Sequence, residues 1–423
     1  MVGNTHPYTV DDWIENISLA YRHEIDAFAL NVGPEGWQKQ SVDNCFQAAR
    51  LSGLPFKLFL SFDMNAIPGQ VEDDVLLLRS YFEAFARHSH QLRYNGKPVV
   101  STFAGQQCLF GCADLDAAWT HVKRTLEDVA PIHFIPSFFI DPRRYPHIHS
   151  MDGYFNWNGG WPIHLTPDSP RRDVELPELD TDRHHIHHLG GRTFMAAVSP
   201  WFFTHYGENS WNKNWIYRGD DWLYVRRWEQ LVAARDTVDI VQIVSWNDFG
   251  ESHYIGPIKG AQPKSESWVD GFPHTAWLHL TRSFARAFKT GTYPTVERDE
   301  IYMWARPHLK HADATHDEAG RPEKWQLTDD KFWVVVLATA PAEVRLATSD
   351  LEGEAAAERS YPVREGLTKL SHPLVARESM KATMIRDGRV VAECAPERAG
   401  FRVQARPRTY NFNAFVATSI PSI

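Results

Sequence analysis

The 423-residue sequence lacks three features, each of which would point to a class of function. No apolar run approaches the ~20 residues needed to cross a bilayer, so we expect no integral membrane protein. No Gly-x-Gly-x-x-Gly follows an apolar run, which argues against a dinucleotide-binding domain. Basic residues are in the minority, with 44 Lys and Arg against 53 Asp and Glu and a net charge of −9. We therefore expect no nucleic-acid partner.

Cysteine is scarce, with four residues in the whole chain: Cys45, Cys108, Cys112 and Cys394. The spacing of Cys108 and Cys112 allows a small disulfide loop if the backbone turns sharply, and free buried thiols fit equally well. A charged and then apolar leader is also missing after Met1, so we expect no signal peptide in the chain as given.

Aromatic residues, by contrast, are abundant, with 16 Trp, 14 Tyr and 24 Phe. Several Trp stand beside an amide, as in Trp157-Asn158, Trp211-Asn212 and Trp246-Asn247. A flat apolar face next to a hydrogen-bonding amide suits the binding of sugars. Packing in a core is the alternative explanation for any single Trp.

Up to about residue 290, short apolar runs alternate with longer amphipathic ones. The runs that predict strands cover residues 27–32, 56–62, 98–103, 132–139, 153–157, 194–198 and 240–246. Helical patterns cover residues 10–22, 41–51, 72–92, 115–129, 182–189, 221–235 and 275–289. This alternation indicates parallel pairing and favours a (β/α)8 TIM barrel over residues 1–292. Only residues 1–3 remain for the first strand, so we expect that strand to be truncated.

The last 130 residues have another texture. Short strand-like pieces cover residues 331–339, 342–347, 366–370, 381–386, 389–393 and 400–404. Pro, Gly and charged turns separate these pieces, a pattern typical of an antiparallel β-sandwich. We assign the sandwich to residues 293–423 and expect its boundary around residues 292–325, where His, Pro and acidic residues collect.

Reacting groups of a barrel lie at the carboxyl ends of its strands, because only the loops that follow the strands converge on one open face. Three carboxylates follow strand ends in this sequence, namely Asp63 in SFDMN and Asp248 and Glu251 in SWNDFGESHY. Glycoside hydrolysis needs a proton donor and a second carboxylate, and like charges that share a site raise one pKa. The alternative is that Asp248 caps a turn and Glu251 forms an ordinary ion pair.

Four stretches carry a resemblance to a known family: MVGNTHPYTVDDW, IDAFALNVGPEGWQ, KLFLSFDMN and VSWNDFGESHYIGPI. They resemble the fungal α-1,3-glucanases, or mutanases, of glycoside hydrolase family 71. The likeness covers residues 1 to about 290. It implies hydrolysis of α-1,3-glucan with inversion at the anomeric carbon, without metal or organic cofactor. It also implies an extracellular or cell-wall enzyme, which we expect to be a monomer.

Carried over onto this sequence, the family's catalytic carboxylates fall on Asp63, Asp248 and Glu251. We assign Glu251 as general acid, Asp248 as the base acting through water, and Asp63 as a supporting charge. The run HHIHH at residues 184–188 is interpreted as a solvated helix face rather than a metal site, because neighbouring helical residues point in different directions.

Aromatic and amide residues at the strand ends are predicted to hold glucose units. They are Trp157, Asn158, Trp161, Trp201, Trp246, Asn247, His253 and Tyr254. For each of them a structural role is the alternative. Two other functions stay open at this point, a non-catalytic α-glucan-binding protein and a hydrolase of another glucan linkage.

Overall fold

The computed structural model describes residues 1–177, 179, 181–260, 262–349, 355–396 and 400–420. Strands and helices alternate as far as residue 290. The strands of this part are β1 (Ala27–Val32), β2 (Lys57–Asp63), β3 (Arg93–Tyr94), β4 (Lys97–Phe103), β5 (His133–Ser137), β6 (Gly153–Asn156), β7 (Thr193–Val198), β8 (Phe203–Tyr206), β9 (Lys213–Ile216) and β10 (Ile240–Ile243). The helices are α1 (Val10–Arg22), α2 (Gln38–Leu51), α3 (Val75–Phe85), α4 (Leu115–Glu127), α5 (Arg171–Glu175), α6 (Asp182–Leu189), α7 (Leu223–Ala233), α8 (Glu266–Val269) and α9 (Thr275–Thr290).

Local chemistry explains several of these boundaries. Thr9 and Asp12 form a reciprocal capping box that starts α1. Gly190 and Gly291 end α6 and α9 in the left-handed conformation. Strands β5 and β7 are buried along their whole length, as expected of parallel strands covered on both faces.

Parallel pairing brings the carboxyl ends of the strands together. β1, β2, β4 and β5 pair in that order, and β6, β7 and β10 form a second parallel set. Asp152 joins the two sets, since its backbone N–H donates to Phe134 and its carbonyl accepts from Thr193. The pairing register places Asp63 beside Phe103, and Phe103 beside Ser137.

The expected strand stub at residues 1–3 is wrong, because Val2–Thr5 forms a 3-10 helix. The seven parallel strands that were predicted are confirmed within a few residues at their ends. A cavity of about 420 Å³ lies between β1 and β10, and apolar side chains of both strands line it. Within the described part of the chain, no helix is long and apolar enough to cross a membrane.

The part after residue 300 consists of two antiparallel sheets. Its strands are β11 (Glu300–Ala305), β12 (Lys331–Ala338), β13 (Ala342–Ser349), β14 (Ala355–Val363), β15 (Gly366–Pro373), β16 (Ser379–Arg386), β17 (Arg389–Cys394) and β18 (Phe415–Thr418). One sheet has the order β15-β12-β11-β18 and the other β14-β13-β16-β17. Alternate apolar side chains of both sheets, such as Met303, Val334 and Leu346, form one buried cluster.

Three predictions for this part were incomplete or wrong. β11 lies inside the predicted boundary region, where no strand was predicted, and β14 and β18 were not predicted either. No strand covers the described residues among the predicted 400–404, where Gln404 only bridges to His308. Cys108 and Cys112 are not joined, so the disulfide that their spacing allows does not form.

The segment just before β18 packs against the first part of the chain. Trp201 donates its indole N–H to the carbonyl of Phe412 at 2.8 Å, and His274 contacts the carbonyl of Ala414 at 2.9 Å. Asn413 reaches the hydroxyl of Tyr254 at 3.2 Å. An ion pair of the buried Arg218 with the partly exposed Asp329, at 2.8 Å, joins the two parts elsewhere.

Candidate active site

The loop that follows β10 closes on itself through Ser245. The Ser245 hydroxyl accepts a hydrogen bond from the Asp248 backbone N–H at 2.9 Å and lies 3.0 Å from His253 Nδ1. The backbone N–H of Ser245 donates to the carbonyl of His253 at 2.7 Å. Asp248 Oδ1 in turn accepts from the backbone N–H of Glu251 at 3.3 Å. The loop therefore holds both carboxylates in one fixed turn.

His253 lies beneath these carboxylates. Its Nε2 is 3.1 Å from Glu251 Oε2 and 3.6 Å from Asp248 Oδ2. The imidazole is buried, whereas the side chains of Asp248 and Glu251 are 12% and 24% exposed. One oxygen of each carboxylate and one nitrogen of His253 lie within 4.8 Å of one another. Asp248 and Glu251 are thus partly exposed to solvent, and the buried imidazole of His253 lies next to both carboxylates.

Asp63 ends β2, as the strand-end rule predicts. Its Oδ1 accepts from the Asn65 backbone N–H at 3.1 Å, and its carbonyl accepts from Ile67 at 2.9 Å. The charge of Glu251 acts on the Asp63 carboxyl and contributes to its raised pKa. Asp63 therefore lies within electrostatic range of Glu251.

The surroundings shift the pKa values of the two loop carboxylates in opposite directions. Burial raises the pKa of Asp248, and the neighbouring Glu251 charge raises it further. Burial also acts to raise the pKa of Glu251, but the His253 hydrogen bond and the Lys213 ammonium outweigh it, and the net pKa is lowered. Burial raises the pKa of Asp63 despite hydrogen bonds from Asn65 and Ala66. The surroundings thus favour the protonated form of Asp248 and the ionised form of Glu251.

Asp248, Glu251 and His253 also have the atom types of a metal site, and they form such a cluster in the described part of the chain. Both ring nitrogens of His253 already lie at hydrogen-bond distance from Ser245 and Glu251. A metal ion would have to replace the Glu251 contact. The geometry therefore fits a hydrogen-bonded acid pair better than a ligand set.

The eight predicted sugar-contact residues fall into two groups. Trp157 and Asn158 lie half-buried in the 3-10 turn (Trp157–Gly160) that follows β6. The Trp157 ring meets Phe103 edge-on at 4.6 Å. Trp246 is also half-buried, but its indole N–H donates to Asn16 at 2.6 Å. Trp157 and Asn158 thus keep the positions that suit a ligand.

The other five are buried, and their polar atoms have partners inside the protein. The indole of Trp161 donates to the carbonyl of Trp201 at 2.8 Å. The hydroxyl of Tyr254 donates to Phe272 at 2.5 Å, and its ring stacks on His274 at 3.9 Å. The buried residues are Trp161, Trp201, Asn247, His253 and Tyr254. Their hydrogen bonds go to other residues of the protein, so these five residues support the loops from within.

Comparison with known proteins decides the family. The family model described as "Glycosyl hydrolase family 71" matches residues 1–422. The chain belongs to this family. As a family 71 chain, it shares 34% identity over 419 residues with glucan endo-1,3-alpha-glucosidase agn1 of Schizosaccharomyces pombe, covering 98% of this chain and 92% of that protein.

Two more relatives and one solved structure are similar to this family 71 chain. A mutanase of Penicillium rubens is 30% identical over 427 residues, covering 99% of this chain and 87% of that protein. The ascus wall endo-1,3-alpha-glucanase of Schizosaccharomyces pombe is 30% identical over 366 residues, covering 82% and 80%. A GH99 endo-alpha-mannosidase from Bacteroides thetaiotaomicron has a TM-score of 0.46 and 15% identity, covering 66% of this chain and 80% of that chain.

Sequence reasoning missed three residues around the acids of this family 71 site. Lys213 Nζ, on β9, lies 3.5 Å from Glu251 Oε1. Phe103 ends β4 next to Asp63 in register, and the exposed Phe139 meets its ring at 5.4 Å. The strand-end rule could have found both Phe residues had it been applied to apolar side chains. No sequence signal links Lys213 to Glu251.

Proposed function

We propose that the protein hydrolyses α-1,3-glucosidic bonds in α-1,3-glucan. The observation that carries the proposal is the pair Asp248 and Glu251, held together and given opposite pKa shifts in a family 71 chain. The names of the relatives, glucan endo-1,3-alpha-glucosidase and mutanase, support this substrate. The proposal includes a (β/α)8-type barrel over residues 1–292 and a β-sandwich over residues 293–423.

In the proposed reaction Asp248 is the proton donor and Glu251 the ionised carboxylate that activates water. This division reverses the one that we assign from sequence, and the reason is electrostatic. A general acid must keep its proton near the working pH, and the raised pKa of Asp248 suits that task. Glu251, with a lowered pKa beside His253 and Lys213, suits the base.

Asp63 is proposed to help hold the attacking water, and Trp157 and Asn158 to bind the sugar next to the cleaved bond. Trp157 offers part of an aromatic face, with Phe103 behind it. Asn158 supplies an amide for sugar hydroxyls. Trp161, Trp201, Trp246, Asn247, His253 and Tyr254 are proposed to shape this cleft from behind.

Inversion at the anomeric carbon stays part of the proposal. An inverting pair usually lies ~6.5–9.5 Å apart, to leave room for water. Loop oxygens of Asp248 and Glu251 lie within 4.8 Å, which is shorter. Glu251 is proposed to move away from Asp248 when glucan and water enter, so that the pair reaches the separation that inversion needs.

The enzyme is proposed to act as a monomer outside the cell, on wall polymer. The relative named for the ascus wall supports this location.

The test is incubation with insoluble α-1,3-glucan beside α-1,4- and β-1,3-glucans, with released sugar followed over time. We expect release from α-1,3-glucan, and a loss of about 10²–10⁴ in kcat for Asp248→Asn and for Glu251→Gln. Asp236→Asn, at an exposed position near the other end of the parallel strands, is the matched control and should keep full activity. A wild-type protein that binds this glucan and releases nothing would instead be a glucan-binding protein. Release from β-1,3-glucan alone would overturn the proposed linkage.

A further inference from the structure

The β8–β9 hairpin carries an exposed tryptophan at its turn. The side chain of Trp211 is 53% exposed, and among the large apolar side chains exposed in the described residues it is the one tryptophan. It belongs to one of the three Trp-Asn pairs in the sequence. Of the other two indoles, Trp246 donates to Asn16, and Trp157 is half-buried with Phe103 edge-on against its ring. Trp211 is thus the most exposed indole of the three pairs.

This hairpin is fastened to the catalytic loop at several points. The backbone N–H of Phe203 donates to the carbonyl of Glu251 at 3.1 Å. Lys213 lies 3.5 Å from the Glu251 carboxylate. Gly250 leaves no room for a Cβ beside the Tyr206 ring, which places that ring directly against the loop. The turn of the hairpin therefore stays next to the acids.

Trp211 packs against Tyr206, one of the residues that attach the hairpin to the catalytic loop. Its ring meets Tyr206 edge-on at 4.6 Å, so one intervening ring separates it from Gly250 and the catalytic loop. The Lys264 ammonium lies 5.7 Å from the centre of the Trp211 ring. Tyr206 and Lys264 fix the orientation of the indole without enclosing it.

The backbone of the turn is also defined. The N–H groups of Ser210 and Asn212 both donate to the carbonyl of Gly207, at 3.0 and 3.2 Å. Asn212 has a φ of 50°, in the left-handed region that Asn tolerates better than most residues. The indole is therefore presented on a preformed turn, which lowers the cost of ordering it when a ligand binds.

Single exposed aromatics are common on protein surfaces and need no ligand to explain them. Tyr293 is such a residue, with 46% of its side chain exposed. It lies just beyond the carboxyl end of α9, near the amino ends of the parallel strands and away from the acids. Trp211 differs from Tyr293 because it is fixed to the catalytic loop.

We propose that Trp211 is a binding platform for a glucosyl unit of the polymer, outside the cleavage point. The flat apolar face of a pyranose would lie on the open face of the indole, and Asn212 and Ser210 would offer hydrogen bonds at its edge. The proposal rests on the proposed function, because it takes α-1,3-glucan as the ligand. A polymer held at this platform spends binding energy away from the reacting bond to keep the chain in the cleft.

The experiment measures depletion of protein from solution by insoluble α-1,3-glucan, in an Asp248→Asn background whose turnover is greatly reduced. We expect Trp211→Ala to weaken binding about tenfold, which corresponds to about 1.4 kcal/mol. Trp211→Phe should recover part of the affinity, and Tyr293→Ala should bind like its parent. In the active enzyme, Trp211→Ala should raise KM for the polymer more than it lowers kcat.

Binding by Trp211→Ala within twofold of the parent, with normal hydrolysis by the wild type, would overturn the platform and leave the proposed function standing. Absence of both binding and hydrolysis in the wild type would overturn the proposed function, and the platform with it. Equal losses in Trp211→Ala and Tyr293→Ala would show a general surface effect and would also refute the platform.

Discussion

Replacing Lys213 with methionine should move the acid limb of the activity profile to higher pH. The lysine ammonium lies 3.5 Å from Glu251 Oε1 and helps keep that carboxylate ionised. Methionine preserves most of the side-chain length and removes the charge. Without the ammonium the protonated form of Glu251 gains relative to the anion, so the pKa of Glu251 rises. A base that must be ionised is then lost at a higher pH than before.

Coulomb's law gives the size of this effect. Two unit charges 3.5 Å apart interact by about 1.2 kcal/mol in bulk water, which corresponds to a pKa change of about 0.9. The side chain of Lys213 is 45% exposed, so salt and solvent weaken its attraction to Glu251. The partial burial of Glu251 strengthens the same attraction. We therefore expect the acid limb to move by about 0.5 to 1 pH unit. The alkaline limb, which the raised pKa of Asp248 controls, should move much less.

The assay is kcat/KM on soluble α-1,3-linked oligosaccharides across the pH range, at low and high salt. Lys57→Met is the matched control, because Lys57 begins β2 at the end opposite Asp63. Its profile should coincide with that of the wild type. An unchanged acid limb in Lys213→Met, or a shift to lower pH, would refute the assignment of Glu251 as the ionised base.

Two further predictions concern stereochemistry and stability. The first sugar released should have the β configuration, as inversion requires, and NMR of early products measures it; an initial α product would show retention and match the short spacing of Asp248 and Glu251. Arg218→Met should lower the free energy of unfolding, measured in urea, by about 3 kcal/mol, because buried Asp220 then keeps only Arg306, at 3.5 Å, as an ion-pair partner. The exposed Arg143→Met should change it by less than about 1 kcal/mol. Equal effects of the two arginine variants would contradict the importance of burial.

The sequence predicts the parallel strands well because their signal is local. Apolar runs of four to seven residues end in polar residues, and the strand-end rule then selects Asp63, Asp248 and Glu251 from 53 acidic residues. β11 shows the limit of reading composition. Five of the six residues in its run EIYMWA are apolar, but the surrounding His, Pro and acidic residues favoured a domain boundary instead of a strand.

Contacts between distant segments could not be predicted in this way. The burial of Trp201 and Tyr254 depends on Phe412 and Asn413, which lie more than 150 residues away in sequence. The lowered pKa of Glu251 depends in part on Lys213, which lies on β9 in a hairpin that was not predicted. Side-chain type at a strand end therefore identifies the candidates, while tertiary packing sets what each one does.

The contacts of Phe412, Asn413 and Ala414 with Trp201, Tyr254 and His274 bear on how this chain can be divided for expression. These contacts fix residues 412–414 against the side chains that support the loop with Asp248 and Glu251. A fragment cut at residue 292 would retain every carboxylate and still expose the Trp201 indole and the His274 imidazole, which are otherwise buried, to water. We therefore expect the first part to keep these two side chains buried only when the segment of residues 412–414 is present.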